Sequence, residues 1–297
     1  MLKAINLPIS ETTPAAQQFI TRGGADALIL WAPEWGKLEP AKGQVDESQW
    51  TPVDEAIAWA HGKLPTFLAV SSGFTSWLPS GWGPDVVQAW RGYIAGILKR
   101  HRNTIVIVQN EPDFAGIPAK VSAQLMRIAA EVAHEVGHPH IMGPAAATAS
   151  YAVKVLGYLR GWRPPPGVQV GFAHHGYIDI DRGRTLATRA VLAAMKLTRW
   201  QGGQRVWITE AGYIFRTRCT DKAQGWNPDS WAYVNQAADE QSQLRNTLKY
   251  VSYARNSGKV EMVATYEYQT LKHYGWDSAL VRYDGTARPL LDRWLAM

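Results

Sequence analysis

Two apolar runs in the sequence each end in a carboxylate. The segment 104-TIVIVQNE-111 ends in Asn110 and Glu111, and the segment 205-RVWITE-210 ends in Glu210. A buried strand that ends abruptly in polar side chains marks candidate residues for chemistry. Two carboxylates on either side of a cleft can hydrolyse a glycosidic bond, because one protonates the leaving oxygen while the other attacks the anomeric carbon or activates water.

The separation of such a pair decides the stereochemical outcome. Carboxyl groups about 5 to 5.5 Å apart form a covalent intermediate and retain the anomeric configuration, whereas about 6.5 to 9.5 Å leaves room for water and gives inversion. Either carboxylate alone would be an ordinary loop residue. The hypothesis therefore depends on a fold that brings Glu111 and Glu210 together.

Short strand-like runs alternate with amphipathic helical segments along the whole sequence. Eight such alternations predict an α/β fold, a (β/α)8 TIM barrel that forms a single domain over residues 1–297, with reacting groups at the C-terminal ends of the strands. A doubly wound open sheet is the alternative, but the turn 6-NLPISETTP-14 lacks its glycine-rich pattern. The predicted strands are 2–6, 27–31, 65–70, 104–108, 139–143, 168–173, 205–209 and 261–266, and the predicted helices are 13–22, 52–61, 85–100, 118–136, 152–161, 186–200, 230–255 and 289–295.

Composition limits the classes of protein that the chain can form. With 46% hydrophobic and 19% charged residues it is typical of a soluble globular protein, and no run approaches the roughly 18 apolar residues of a membrane span. The net charge of +6 comes from scattered basic residues, so we expect no nucleic-acid partner. The single cysteine, Cys219, excludes an internal disulfide. We expect a monomer with no cofactor and no membrane partner.

Fourteen tryptophans are a large number for this length. Flat apolar rings in loops suit ligands with flat apolar faces, such as sugars or nucleobases. Trp31 and Trp77 are therefore candidate substrate-binding residues. Six tryptophans lie in or beside predicted loops with glycine and proline, namely Trp31, Trp35, Trp77, Trp82, Trp226 and Trp276.

Three motifs together are similar to those of clan A glycoside hydrolases, the retaining (β/α)8 group that includes families 5 and 39. The motifs are 108-VQNEPD-113, 173-AHHGY-177 and 207-WITEAGY-213, in that order. The segments 31–60 and 279–291 are also similar to parts of that group, so the resemblance covers nearly the whole chain. It implies a hydrolase without a metal that cleaves O-glycosidic bonds of an oligo- or polysaccharide with retention.

The resemblance also implies roles for the carboxylates and their neighbours. Glu111 would be the general acid and base, and Glu210 would be the nucleophile. Asn110 would bind the sugar 2-hydroxyl, an interaction that strengthens as the transition state develops.

Two further residues, His175 and Tyr177, would line the cleft from the end of the sixth strand. The tyrosine hydroxyl would orient a carboxylate. Adjacent strand residues face opposite sides, so the sequence leaves undecided whether His174 or His175 points inward.

Two features depart from the pattern of the resemblance. Many clan members carry a tryptophan at the end of the eighth strand, where this sequence has 264-ATYEYQT-270, so Tyr266 or Tyr268 would replace it as a substrate-binding residue. Glu267 is then a third carboxylate near the mouth. The long segment 211–228 is a candidate substrate-shaping lid.

The segment 134-HEVGH-138 suggests a competing function, because it matches the HExxH pattern of zinc peptidases. The apolar stripe of its helix predicts that His134 and His138 both lie on the solvated side, and Gly137 ends the helix within the motif. Both features argue against a zinc site. The other alternative is a non-catalytic carbohydrate-binding protein, but both glutamates of a catalytic pair are present.

No signal peptide is visible in the first residues, 1-MLKAINLPIS-10, which have neither a charged nor an apolar region of the required kind. We therefore expect a cytoplasmic protein, or one released or secreted by another route, as for a phage-type cell-wall or capsule hydrolase.

Overall fold

The structure, a computed structural model, describes residues 1–8, 12–71, 73, 75–78, 81–203, 205–215, 236–269, 278–282 and 284–297, with side chains in the helix that starts at residue 236 described from residue 239. Within these ranges no helix is both long enough and apolar enough to cross a lipid bilayer.

Eight parallel strands form a closed barrel in sequence order, which confirms the predicted (β/α)8 fold. The first strand pairs with the last as well as with the second, and Asn6 lies opposite Tyr266 at this closure. The strands are β1 (Leu2–Leu7), β2 (Ala27–Trp31), β3 (Thr66–Ser71), β4 (Ile105–Asn110), β5 (His140–Met142), β6 (Gln169–His175), β7 (Val206–Ala211) and β8 (Val260–Tyr266).

In the described ranges, ten α-helices lie in the segments between and after the strands. All eight predicted helices are present, whereas the four-residue helix Trp35–Leu38 and the five-residue helix Tyr177–Asp181 are too short for a sequence period to indicate them. A π-helix at Ile20–Gly24 and a 3-10 helix at Glu47–Trp50 accompany them. The α-helices are α1 (Pro14–Phe19), α2 (Trp35–Leu38), α3 (Thr51–Ala60), α4 (Pro84–Arg100), α5 (Ala119–Val136), α6 (Ala149–Tyr158), α7 (Tyr177–Asp181), α8 (Leu186–Leu197), α9 (Gln236–Ser257) and α10 (Pro289–Leu295).

The apolar core is divided by the barrel wall. A large cluster lies between strands and helices, where Phe172 of β6 packs against Trp200. A smaller cluster fills the barrel with residues that alternate with the first set along each strand, such as Ala4, Phe67 and Met262. Because both faces of each strand are buried, the strands are continuous apolar runs until they reach the mouth of the barrel.

The end of α5 corrects one expectation about the HExxH segment. His134 is exposed, as predicted, but His138 is buried. Gly137 adopts a left-handed conformation, and the amide of His138 donates to the carbonyl of Ala133 at 2.7 Å. This helix-ending turn redirects the chain inward, so the two histidines do not share a helix face.

Candidate active site

Polar side chains meet where several strands end at the same rim of the barrel. Asn110 ends β4 and Glu111 follows it, His175 ends β6, and Glu210 lies near the end of β7. The strand register shifts at these places, between Ala69 and Ser71 opposite Asn110 and between His174 and His175 opposite Glu210. Such irregularities redirect side chains, and here they accompany the convergence of polar groups on one point.

Glu111 is held in an unusual backbone conformation. Its φ is +48°, in the left-handed region that non-glycine residues seldom adopt. The amide of Glu111 donates to the carbonyl of Ala145 at 2.9 Å, which fixes the peptide just beyond β4. The surrounding hydrogen bonds thus hold a strained residue whose side chain lines the mouth.

The two carboxylates lie close together around one histidine. Nδ1 of His175 is 3.1 Å from Oε1 of Glu111 and 3.5 Å from Oε2 of Glu210, and these three residues have ligand atoms that all lie within 4.8 Å of one another. His174 points the other way, and its Nδ1 lies 3.1 Å from the carbonyl of Ala146. His175 is therefore the inward-facing histidine of the pair.

The environments of the two glutamates differ. The side chain of Glu210 is 4% exposed and that of Glu111 is 29% exposed. Oε1 of Glu210 accepts hydrogen bonds from Asn110 at 3.1 Å and from Asn6 at 3.4 Å, while Oε2 accepts one from Tyr177 at 3.0 Å. Glu210 is thus oriented by three donors, and Glu111 retains access to solvent.

Charge and burial act on the site in opposite directions. Burial raises the pKa of Glu210, attraction to His175 lowers it, repulsion from Glu111 raises it, and the hydrogen bonds lower it, with a net rise. Burial lowers the pKa of His175, but the two carboxylates raise it above its ordinary value. The pKa of Tyr177 is raised well above its ordinary range by burial and by Glu210, so its hydroxyl remains a donor. Glu210 thus depends on its neighbours for its ionised form.

Asn6, at the end of β1, belongs to the site although the sequence analysis did not select it. Its Nδ2 donates to the carbonyl of Thr209 at 3.0 Å as well as to Glu210, and its Oδ1 accepts from Nε1 of Trp31 at 2.7 Å. The signal was a fully buried apolar strand, 2-LKAIN-6, that ends in an amide. The same rule that selected Asn110 would have found it.

A cavity of about 710 Å³ opens above these groups. Both glutamates line it together with Trp31, Tyr177 and Tyr266. The ring of Tyr266 stacks against Trp31 at 6.1 Å and contacts Tyr177 edge to face at 6.4 Å. Aromatic surface therefore lies beside the carboxylates, as a bound sugar ring would require.

Two predicted substrate-binding residues lie elsewhere. Trp77 lines a separate cavity, because its indole N–H donates to the carbonyl of Glu39 at 2.8 Å. Tyr268 packs against Phe19 at 5.1 Å, so Tyr266 is the tyrosine that faces the main cavity. Glu267 is fully buried and is not part of the cavity lining.

The candidate lid, 211–228, falls largely on the part of the chain that is not described. Only its first residues, through Phe215, belong to the described ranges, and Ile214 among them lines the cavity.

Glu111, His175 and Glu210 are also the residues that could hold a metal ion. In the described ranges they form the only group of three or more potential ligands close enough together, so the HExxH segment assembles no such group there. Nδ1 of His175 is already directed at both carboxylates. A protonated histidine can supply the positive charge that a cation would otherwise bring to the pair.

Solved structures with the same barrel fold include glycoside hydrolases. An endo-β-1,4-glucanase from Xanthomonas axonopodis pv. citri matches with a TM-score of 0.69 and 13% identity, over 99% of this chain and 97% of that one. A family 39 glycoside hydrolase from Bacteroides cellulosilyticus WH2 matches with a TM-score of 0.66 and 14% identity, over 99% of this chain but only 62% of that one.

A third match is a mutant glycoside hydrolase 5 lichenase from Caldicellulosiruptor sp. F32 in complex with cellotetraose. Its TM-score is 0.65 and its identity 12%, over 96% of this chain and 84% of that one. No family model matches the sequence, and no curated protein matches it. At these identities the likeness establishes the fold, and the barrel of this chain is similar to those of families 5 and 39.

Proposed function

We propose that the protein is a retaining glycoside hydrolase that cleaves O-glycosidic bonds of an oligo- or polysaccharide by double displacement. The observation that carries this proposal is the approach of Glu111 and Glu210 to within 4.8 Å at one cavity. That spacing suits direct attack by one carboxylate on the anomeric carbon, since an inverting pair stands farther apart to admit water.

The unequal surroundings of the two glutamates support different roles for them. Glu210 is buried and accepts hydrogen bonds from Asn110, Asn6 and Tyr177, which favour its ionised form and fix its direction. It is the nucleophile. Glu111 is more exposed and is the general acid in the first step and the general base in the second.

The aromatic surface supports a carbohydrate as the ligand. The half-buried ring of Trp31, which stacks against the buried Tyr266, lies beside the carboxylates and offers an apolar surface to a sugar ring. Asn110 holds Glu210 and is also the residue proposed to bind the 2-hydroxyl of the sugar. The glycosidases among the solved structures with this fold are consistent with that substrate class.

The proposal is tested with a panel of aryl glycosides and polysaccharides followed by azide trapping in two variants. Glu210→Ala should abolish turnover, and azide should then attack the anomeric carbon directly and give a glycosyl azide of inverted configuration. Glu111→Ala should lose about 10²- to 10⁴-fold in rate on substrates that need acid assistance. With an activated leaving group it should form the Glu210 ester, from which azide gives the retained product.

The matched control is Glu55→Ala, which removes an exposed carboxylate on α3 away from the cavity and should keep the wild-type rate. Turnover that survives in Glu210→Ala would overturn the nucleophile assignment. Saturable glycan binding without hydrolysis of any panel member would instead favour a carbohydrate-binding protein.

A further inference from the structure

One side of the main cavity is lined by exposed aliphatic and aromatic side chains. Phe114 is 71% exposed and Leu186 is 59% exposed, and both line the cavity together with Ile178 and Ile214. We call these four residues the apolar rim. Large apolar side chains that are grouped at a cavity and exposed to solvent indicate a binding surface.

Phe114 and Leu186 of the apolar rim follow strands that are not adjacent to those of the aromatic pair, whereas Ile214 follows β7, which pairs with β8. Phe114 follows β4, and Leu186 begins the helix that follows β6. Trp31 and Tyr266 end β2 and β8, which lie on either side of β1 in the closed barrel. A ligand that spans the cavity therefore meets flat rings at one end and Phe114 and Leu186 of the apolar rim at the other.

Glu111 lies at the rim end of the cavity. It shares one tight turn with Phe114, since the amide of Ala115 donates to the carbonyl of Glu111 at 3.1 Å and the amide of Ile117 donates to that of Pro112 at 2.9 Å. A general acid must reach the oxygen that leaves. With Glu111 as the proposed general acid, the leaving group would lie against the apolar rim.

Polar side chains are few on this side of the cavity. The hydroxyl of Thr148 already donates to Asp113 at 2.8 Å. The charged residues in the described lining are Glu111, Glu210 and Arg184, and Nε of Arg184 is buried without a hydrogen-bond partner in the described part of the chain. A leaving group rich in hydroxyls would replace few of the hydrogen bonds to water that it loses, whereas an alkyl chain has none to lose.

We propose that the substrate is an oligosaccharide glycoside of an apolar alcohol, such as a long-chain alkyl or lipid alcohol, whose chain packs on the apolar rim. This inference rests on the proposed function and narrows its substrate class. In the first step the bond between the anomeric carbon and the leaving oxygen breaks, Glu210 bonds to the anomeric carbon, and the Glu111 proton passes to the oxygen. The free alcohol leaves, and water then hydrolyses the ester and returns a proton to Glu111.

The test compares n-alkyl glycosides from methyl to octyl, below their micelle concentrations, that carry the sugar identified by the substrate panel. A buried methylene contributes about 0.8 kcal/mol, which corresponds to roughly fourfold in rate or affinity. Because the apolar rim is exposed to solvent, a methylene packed on it is only partly buried. We therefore expect kcat/KM to rise about two- to fourfold per methylene. Independently of the panel, n-alkyl β-D-glucosides of the same chain lengths are titrated against Glu210→Ala by calorimetry, which measures binding without turnover.

Leu186→Ser and Phe114→Ser should each flatten the dependence on chain length, in turnover and in binding. The control is Leu197→Ser, which changes the same residue type at the other end of α8, where it is 77% exposed and away from the cavity. Its dependence on chain length should equal that of the wild type.

The two proposals fail in different ways. The proposal of an apolar leaving group would be overturned by equal kcat/KM and equal affinity for methyl and octyl glycosides. It would also be overturned if both rim variants kept the wild-type dependence on chain length. Binding that strengthens with chain length in a protein that hydrolyses no glycoside would support the apolar rim and overturn the proposed reaction.

Discussion

The hydroxyl of Tyr177 donates a hydrogen bond of 3.0 Å to Oε2 of Glu210, the carboxylate that we propose as the nucleophile. The phenol remains protonated because burial and the nearby carboxylate raise its pKa well above the ordinary value. It can therefore donate at any pH at which the protein would be assayed, and it holds one of the two carboxylate oxygens in a fixed direction.

Tyr177→Phe removes that donor and leaves the ring. Hydrogen bonds from Tyr177 lower the pKa of Glu210, so their loss should raise it further. Because Glu210 must be ionised to attack, we expect the acid limb of the kcat/KM profile to move to higher pH, and kcat to fall about 10- to 100-fold. Tyr151→Phe, which removes a hydrogen bond to the carbonyl of Ile117, is the matched control. An unchanged acid limb in Tyr177→Phe would contradict the role of the phenol.

Asn6→Asp tests the residue that the sequence analysis missed. It keeps the acceptor for Trp31 but replaces the donor to Thr209 and Glu210 by a second buried carboxylate. We expect kcat/KM to fall at least 100-fold and stability to drop by about 3 to 5 kcal/mol, because an unpaired buried charge is left. Chemical denaturation measures the stability, and Asn103→Asp, at an exposed position, should leave both values unchanged. A fully active Asn6→Asp would exclude Asn6 from the site.

His174 should make the fold sensitive to acid. Burial, with a smaller contribution from His175, lowers its pKa to about 4 from an ordinary value of 6.5. The folded protein keeps this ring neutral where the unfolded chain binds a proton, so its contribution to stability is complete above pH 6.5 and is lost as the pH falls toward 4. The loss amounts to about 3 kcal/mol.

Thermal melts between pH 7 and pH 4 measure this dependence. His174→Asn keeps a donor for the carbonyl of Ala146 and should flatten the dependence of Tm on pH. His61→Asn changes an exposed histidine and should not. An equal slope in wild type and His174→Asn would show that other groups cause the acid sensitivity.

Much of the site could be predicted because it obeys one rule of parallel barrels. Asn110, Glu111 and Glu210 are polar residues at the ends of buried runs, and such ends meet at one rim. The rule needs only the positions of the strands, which the apolar runs mark clearly. Asn6 satisfies the same rule, but an amide alone carries no obvious chemistry, and it gains its role only through contact with Glu210.

Side-chain direction was harder to predict than position along the chain. His174 and His175 are both fully buried, so the usual contrast between a buried and an exposed neighbour does not show which of them faces the cavity. The register shift between them also weakens the rule that side chains alternate along a strand. Trp77 and Tyr268 follow strands that end at the mouth of the barrel, but their side chains contact other residues. The indole of Trp77 donates to the carbonyl of Glu39, and the ring of Tyr268 packs against Phe19. The single-domain organisation and the monomeric state remain predictions.

The pairing of β1 with β8 has a consequence for synthesis of the protein. Asn6 emerges from the ribosome long before Tyr266, its partner at the closure. Until β8 is added to the growing chain, β1 has no neighbour on that side. Trp31 at the end of β2 then also lacks Tyr266, the ring against which it stacks. A nascent chain therefore cannot present the complete site, and any activity appears only after translation has passed the last strand.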